Sequence, residues 1–422
     1  MNEANRRWGA VLAGAVFGCG TGISALLLYT NGLFVADLSR EFGLTRTQFG
    51  FGVLLVTLAL AAANPLVGWA VDRFGAKRPA IFGLLLLSLG FASLSAFVHS
   101  ASSYLMLQAA VAFIGAASGP IAYTKIIGAT FHKHRGLALG VTMTGIGCAA
   151  ALVPPLLASV IATHGWRTGF LALSLIPLIG ILATALFIPG HDATPSRGST
   201  ERGASAAPPA TAGRWTQSRV FWVLASAFAM MSLSFAGFLP HFVPLLTDGG
   251  LSPVAAGRIA GEIGLAVIAS RLLIGFLMDR LFAPRIAIAI CVIAASGFVI
   301  LMANGISAAS ITAIALGFAM GAELDLMGFL VARYFGLAEF GRIYGCLYGA
   351  FIFASGLGPL WVGALRDATG SYTMSLAISV VGLALACVAF LLLPRYEAGD
   401  SLPTSTTILG PARSDFAEHR GP

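Results

Sequence analysis

The stretch GWAVDRFGAKR at residues 68–78 decides the fold, because its pattern returns as GFLMDRLFAPR at residues 275–285. The positions that agree at identical spacing include Gly68 with Gly275, Asp72 with Asp279, Arg73 with Arg280 and Arg78 with Arg285. The two copies align without a gap from Gly43 and Gly250 onward, and each ends an apolar run with a charged turn. Such a repeat predicts two halves of similar structure.

The composition is that of a protein immersed in lipid. Apolar residues make up 57% of the 422 residues, charged residues only 10%, and the mean hydropathy is +0.88. A soluble domain is about 25% charged. The chain has too little polar surface to cover a globule in water, which excludes a soluble enzyme, a disordered protein and a nucleic-acid binder.

Apolar segments of about 20 residues are long enough to cross a bilayer as helices. Twelve such segments are predicted: 9–36, 48–71, 79–98, 103–130, 136–162, 168–188, 220–246, 254–278, 286–303, 308–332, 343–365 and 372–394. With the N-terminus in the cytoplasm, most of the 25 lysines and arginines fall on the cytoplasmic side. This bias places both termini in the cytoplasm.

The predicted fold class is an all-α membrane protein with twelve transmembrane helices in two pseudo-symmetric six-helix bundles. Residues 1–188 form the N-terminal bundle and residues 219–395 the C-terminal bundle. Residues 189–218 are rich in Ser, Thr, Ala, Pro and Gly and are predicted to be a cytoplasmic linker. Residues 396–422 are predicted to be a disordered cytoplasmic tail.

Residues 68–78 resemble the signature loop between helices 2 and 3 of the major facilitator superfamily, and residues 275–285 resemble its degenerate second copy. Within that superfamily the chain resembles the monocarboxylate porter and oxalate/formate antiporter branch. The stretches that carry this likeness include Tyr29-x-x-Gly32-Leu-Phe34, Gly165-Trp166-Arg167, Arg271-x-x-x-Gly275 and Asp367-x-x-Gly370-Ser-Tyr372. The resemblance implies the major facilitator fold and transport by alternating access, in a monomer.

The repeated turn is expected to act as a gate, because in the superfamily it ties helix 2 to helix 11 at the cytoplasmic side. Glycines in it would allow close helix approach. The expected gating residues are Gly68, Asp72, Arg73, Gly75, Gly275, Asp279 and Arg280.

Three charged residues deep in the spans are functional candidates, since a charge near the bilayer centre costs several kcal/mol. Arg271 lies nine residues before Arg280, about 13 Å from the cytoplasmic end of its helix. It could clamp an anion through its forked guanidinium, or pair structurally with Glu323 or Asp325. Those two carboxylates point about 200° apart around their helix. Each could carry a proton or neutralise Arg271, and Glu323 is favoured for proton coupling because it is deeper.

Further polar and aromatic residues on the spans are candidates for a substrate cavity. Lys125 could line the cavity or extend to the membrane interface. The aromatic candidates could equally pack in the helix core. The expected substrate-binding residues are Arg271, Tyr29, Asn31, Tyr123, Lys125 and Tyr348, with Tyr344 as a further cavity candidate.

The function expected from this pattern is secondary active transport of small, monocarboxylate-like organic anions, by proton coupling or exchange, in a bacterial inner membrane. The expected partners are the anion, protons and the lipid bilayer. Span 1 lacks the lysine of animal monocarboxylate porters, and Val267 stands where they carry an aspartate. Transport of larger or neutral solutes, such as drugs, peptides or siderophores, is therefore the alternative. A membrane enzyme or receptor has no motif to support it, and no cofactor or metal is expected.

Overall fold

The computed structural model describes residues 3–131, 134–189 and 215–396. Most of the expected linker, residues 190–214, and the expected tail from residue 397 onward lie outside these described residues.

The described chain is built from helices. In chain order the α-helices are α1 (Glu3–Gly20), α2 (Ile23–Thr30), α3 (Val35–Phe42), α4 (Arg46–Phe74), α5 (Lys77–Phe97), α6 (Ala101–Gly115), α7 (Pro120–Thr130), α8 (Arg135–Phe187), α9 (Arg219–Ala236), α10 (Phe242–Asp248), α11 (Pro253–Met278), α12 (Ala283–Asn304), α13 (Ala309–Phe335), α14 (Phe340–Thr369) and α15 (Thr373–Leu391). Short 3₁₀ turns join α2 to α3, α6 to α7 and α12 to α13.

These helices supply the twelve predicted spans. Among the described residues, ten helical segments are long and apolar enough to cross a membrane, and two of them, Arg135–Phe187 and Ala283–Phe335, are 53 residues long. Each of these two contains a pair of spans, because the chain turns back at Gly165, with φ 81°, and at Gly305, with φ 61°. Glycine adopts such positive φ angles without steric strain. Spans 1–6 comprise α1–α8 and spans 7–12 comprise α9–α15.

Spans 1 and 4 differ from the continuous helices expected over 9–36 and 103–130, since both are interrupted near their middle. The break between α1 and α2 lies beside the 3₁₀ turn that precedes α7, and the amide of Ile23 donates to the hydroxyl of Ser118 over 3.0 Å. A side chain at Gly22 would collide with the Ser118 carbonyl. The two breaks therefore lie at the same depth, and spans 1 and 4 contact each other there.

The surface is largely apolar. Large side chains such as Phe82, Met106, Leu186 and Leu265 are more than half exposed. Many polar groups, including Arg271 and Asp325, are instead buried. Contiguous exposed apolar surface on this scale would aggregate in water, and it suits a lipid environment. The protein is an integral, multi-pass membrane protein.

Candidate functional site

Asp72 joins span 2 to the beginning of span 11. Its two carboxylate oxygens accept hydrogen bonds from the amides of Gly341 and Arg342, each at 2.8 Å. These are the second and third residues of α14, whose amides have no partner within the helix. The positive end of the helix dipole adds a favourable interaction with the carboxylate.

Asp279 makes the equivalent contact in the other half of the repeat. It accepts hydrogen bonds from the amides of Gly136 at 2.7 Å and Leu137 at 3.0 Å, the second and third residues of α8. Span 8 is thus tied to span 5 as span 2 is tied to span 11. The end of the molecule that carries Asp72 and Asp279 is called the motif end below.

Glycines bring the same pairs of helices into backbone contact. A side chain at Gly68 would collide with the carbonyl of Gly341, and one at Gly275 would lie 2.7 Å from the carbonyl oxygen of Gly136. The two bundles are therefore sealed against each other at the motif end through α4 with α14 and α11 with α8.

Lys125 belongs to this seal in the observed conformation. Its ammonium lies 2.8 Å from the carboxylate of Asp72 and also donates to the carbonyl of Val71 at 3.3 Å. Both charged side chains are largely buried. The structure thus places Lys125 at the motif end, in contact with Asp72.

The other predicted gating residues take local roles. Arg73 lies 5.8 Å from the ring centres of both Trp69 and Phe74, its neighbours on α4. Arg280 covers the ring of Phe276 at 3.5 Å. Gly75 has φ 80° and ends α4. Neither arginine is placed across the seam between the bundles.

Arg271 lies on α11 about 12 Å from the motif end of its helix, counting eight residues to Asp279. Its side chain is nearly buried, and Nη1 is 3.6 Å from Oδ1 of Asp325 on α13, which is fully buried. That separation is longer than a hydrogen bond. Glu323 is also nearly buried. Of the two carboxylates proposed from sequence, Asp325 is the one paired with Arg271.

This ion pair leaves hydrogen-bonding capacity unused. Within the described residues, Nε and Nη1 of Arg271, both carboxylate oxygens of Asp325 and Oε2 of Glu323 are buried without a hydrogen-bond partner. Native proteins satisfy nearly all buried polar groups. A buried arginine with free donors is able to accept a further anionic partner, and the arrangement can bind a carboxylate by two parallel hydrogen bonds.

Comparison with known proteins decides the family. Residues 17–322 match the sequence model described as Major Facilitator Superfamily. The chain belongs to this superfamily. It is 27% identical to monocarboxylate transporter 11 of Homo sapiens, over 88% of this chain and 80% of that protein. It is 26% identical to a gallate transporter of Pseudomonas putida, over 78% of this chain and 82% of that protein.

A solved structure has the same fold. The crystal structure of the human organic anion transporter MFSD10 (TETRAN) superposes with a TM-score of 0.70 at 15% sequence identity, covering 92% of this chain and all of that one. The superfamily and fold expected from the repeated turn are confirmed, and so is the likeness to monocarboxylate transporters.

The remaining cavity candidates of this superfamily member are dispersed. Asn31 accepts hydrogen bonds from Tyr104, at 2.6 Å, and from Gln108, inside the N-terminal bundle. Tyr123 bonds to Thr184 at 3.1 Å in the same bundle. The structure thus brings neither to the Arg271–Asp325 pair.

Tyr29 and Tyr348 complete the candidates. Tyr29 is half exposed, whereas Tyr348 is buried on α14 with its hydroxyl 3.4 Å from that of Ser24 on α2. Tyr348 therefore lies on the seam between the two bundles.

Sequence reasoning missed two parts of the site. The first is the set of backbone amides that Asp72 and Asp279 bind, which carry no side-chain signal. The second is a row of aromatic rings on α14 that includes Tyr344 and Tyr348; its four members are Phe340, Tyr344, Tyr348 and Phe351. Their spacing of four, four and three residues is a helical stripe that the sequence could have revealed.

The opposite end of the molecule is held within each bundle. Glu41 accepts hydrogen bonds from Trp166 at 2.6 Å and Arg167 at 2.8 Å, which joins the end of span 1 to the start of span 6. Asp248 binds Arg366 at 2.9 Å, which joins spans 7 and 11. Each of these contacts joins helices of one bundle.

Proposed function

We propose that the chain is a secondary active transporter of small, monocarboxylate-like organic anions that works by alternating access. The observation that carries the proposal is the buried, incompletely bonded Arg271 beside Asp325. The names of the similar proteins, a monocarboxylate transporter, a gallate transporter and an organic anion transporter, favour organic anions as well.

The proposed role of Arg271 is to bind the carboxylate of the substrate. A guanidinium stays charged at any physiological pH and matches a carboxylate with two donors. In the structure Asp325 offsets that charge from 3.6 Å, too far for a hydrogen bond. A substrate carboxylate at hydrogen-bond distance would therefore displace Asp325 as the principal partner of the arginine.

Proton coupling follows from this exchange of partners. When Arg271 turns to the substrate, Asp325 is left buried without a counter-charge. An unpaired buried charge costs several kcal/mol, and protonation removes that cost. We therefore assign Asp325 as the proton-carrying group. Glu323, favoured on depth alone, is a second carboxylate on the same helix and stays a prediction for that role.

We further propose that the motif end is a gate that closes one side of the carrier. Asp72 and Asp279 each fasten one helix of the opposite bundle, and Lys125, in the same bundle as Asp72, orients the Asp72 carboxylate. Opening this side requires both carboxylates to release their helix ends. Lys125 is assigned to gating in place of substrate binding.

The orientation and domain limits are part of the same proposal. The motif end and both termini face the cytoplasm, because the lysines and arginines of the loops are concentrated on that side. The bundles comprise residues 1–188 and 219–395, with 189–218 as the linker and 396–422 as the tail. Residence in a bacterial inner membrane stays a prediction from sequence.

Uptake into proteoliposomes tests the proposal. The purified protein is reconstituted, an inward proton gradient is imposed, and the uptake of labelled lactate and benzoate is followed with and without a protonophore. We expect uptake of at least one of them that the protonophore reduces, and loss of that uptake in Arg271→Gln. Arg258→Gln is the matched control, since Arg258 is an exposed arginine on the same helix.

Two results would contradict the proposal. Uptake by Arg271→Gln at the rate of the wild type would make Arg271 structural. Equal loss in Arg258→Gln would show that removal of any arginine from α11 disturbs the protein. Uptake that withstands the protonophore but requires a carboxylate inside the vesicle would identify exchange as the coupling mode.

A further inference from the structure

The aromatic row on α14 lies along the seam between the two bundles. The centroids of successive rings are 5.4, 5.9 and 6.0 Å apart, and the planes of successive rings are inclined to each other by only 13°, 26° and 19°. All four side chains are buried. Tyr344 lies beside Gly328 of α13, while the Tyr348 hydroxyl faces Ser24 of the N-terminal bundle. The row is thus a buried stripe of rings, and Tyr348 is the member whose hydroxyl reaches across the seam.

Tyr348 and Arg271 lie at the same depth. Tyr348 is eight residues from the start of α14, and Arg271 is eight residues from Asp279 at the end of α11. At 1.5 Å per residue, each is about 12 Å from the motif end, where the two helices are fastened. A ring and a guanidinium therefore flank the same layer of the seam.

The hydroxyls of Tyr348 and of Tyr344, one helical turn closer to the motif end, have weak partners or none. The contact between Tyr348 and Ser24 is 3.4 Å long. Among the described residues, the buried hydroxyl of Tyr344 makes no hydrogen bond of good geometry, and its polar neighbour is Thr124. Buried hydroxyls usually have a hydrogen-bond partner. Together with the free donors of Arg271, they form a set of unused polar groups around an aromatic surface.

Resting on the proposed function, we infer that the substrate is an aromatic monocarboxylate: its carboxylate binds Arg271 and its flat ring packs against Tyr348. A planar ring offers the tyrosine a geometry that a saturated ring of the same size and charge does not. Aromatic pairs are favoured beyond the area they bury by an amount equal to about a three- to tenfold change in affinity.

Calorimetry on the purified full-length protein tests this inference with benzoate, cyclohexanecarboxylate and propionate. We expect benzoate to bind about three- to tenfold more tightly than cyclohexanecarboxylate. Tyr348→Leu should abolish that ratio, whereas Tyr348→Phe, which keeps the ring, should preserve it. Tyr372→Leu, at the opposite end of the molecule, is the control for loss of any tyrosine.

The outcomes separate this inference from the proposed function. Equal affinities for benzoate and cyclohexanecarboxylate in the wild type overturn the aromatic preference and need no variant. An affinity ratio of benzoate to cyclohexanecarboxylate that is unchanged in Tyr348→Leu also overturns the aromatic preference. If either result is obtained but propionate binds and its binding requires Arg271, the proposed anion site is still supported. If none of the three acids binds, the proposed function fails together with the inference.

Discussion

Replacing Asp72 by asparagine should loosen the gate without disturbing the fold of either bundle. The carboxylate accepts two amide hydrogen bonds at 2.8 Å from α14 and an ammonium contact at 2.8 Å from Lys125. Asparagine has one acceptor oxygen, and its NH₂ group would face one of the two amides. The variant therefore loses one of the two amide hydrogen bonds that cross the seam, together with the ion pair to Lys125 inside the N-terminal bundle.

The magnitude follows from the kind of bond that is lost. A hydrogen bond to a charged group contributes about 1.5–3 kcal/mol, and only the amide hydrogen bond is counted because the ion pair to Lys125 does not cross the seam. We take a total of about 2–3 kcal/mol, because asparagine retains part of the interaction. At about 1.4 kcal/mol per tenfold change, the ratio of closed to open gates should fall roughly 30- to 150-fold.

Alkylation of a cysteine at the gate measures this ratio. In a background without the five native cysteines, Gly128→Cys places a thiol on α7, where a Cβ would lie 3.5 Å from Leu337 across the seam. Maleimide should label it much faster in Asp72→Asn than in its parent. Asp367→Asn, an exposed carboxylate at the opposite end of α14, is the control. An unchanged labelling rate in Asp72→Asn would refute the gating argument.

Three further results are expected. Lys125→Met keeps the amide bonds of Asp72 and removes only the ion pair that orients its carboxylate from within the N-terminal bundle. Gate labelling should rise about fivefold, equivalent to about 1 kcal/mol, and no rise would dissociate Lys125 from gating. Gly275→Ala places a Cβ 2.7 Å from a backbone oxygen, and overpacking of about 1–3 kcal/mol should slow transport more than tenfold. Gly264→Ala, whose Cβ would meet open space, is the control and should transport at the wild-type rate. Equal transport rates for the two variants would contradict the sealed seam. A cysteine at residue 205 should react with an impermeant maleimide only in inverted vesicles, and labelling from outside would reverse the topology.

The sequence predicted the fold because the decisive information is local or periodic. The length of each apolar segment predicts a membrane span, and the sequence repeat predicts two similar bundles. The number of residues between Arg271 and Arg280 predicts the depth of Arg271 in the membrane. The interruptions of spans 1 and 4 were missed. Gly22 and Ser118 look like ordinary residues of a span until the two helices are seen to touch.

The site was predicted less completely, because contacts depend on how each helix is rotated. Depth favoured Glu323, but the rotation of α13 turns Asp325 toward Arg271. Depth also allowed Lys125 a place in the cavity, whereas the course of α7 directs it to Asp72. The partners of Asp72 and Asp279 are backbone amides, which every residue but proline carries, so no sequence pattern reveals them.

The central claim is that the substrate carboxylate and Asp325 compete for Arg271, and equilibrium binding of benzoate and propionate to three proteins tests it most directly. Relative to the wild type, Arg271→Gln should abolish binding of the preferred acid. Asp325→Asn should bind it about tenfold more tightly, because the competing charge is removed; a tenfold change corresponds to about 1.4 kcal/mol. If Asp325→Asn instead weakens binding as much as Arg271→Gln does, the two residues act only as a structural pair and the account is contradicted.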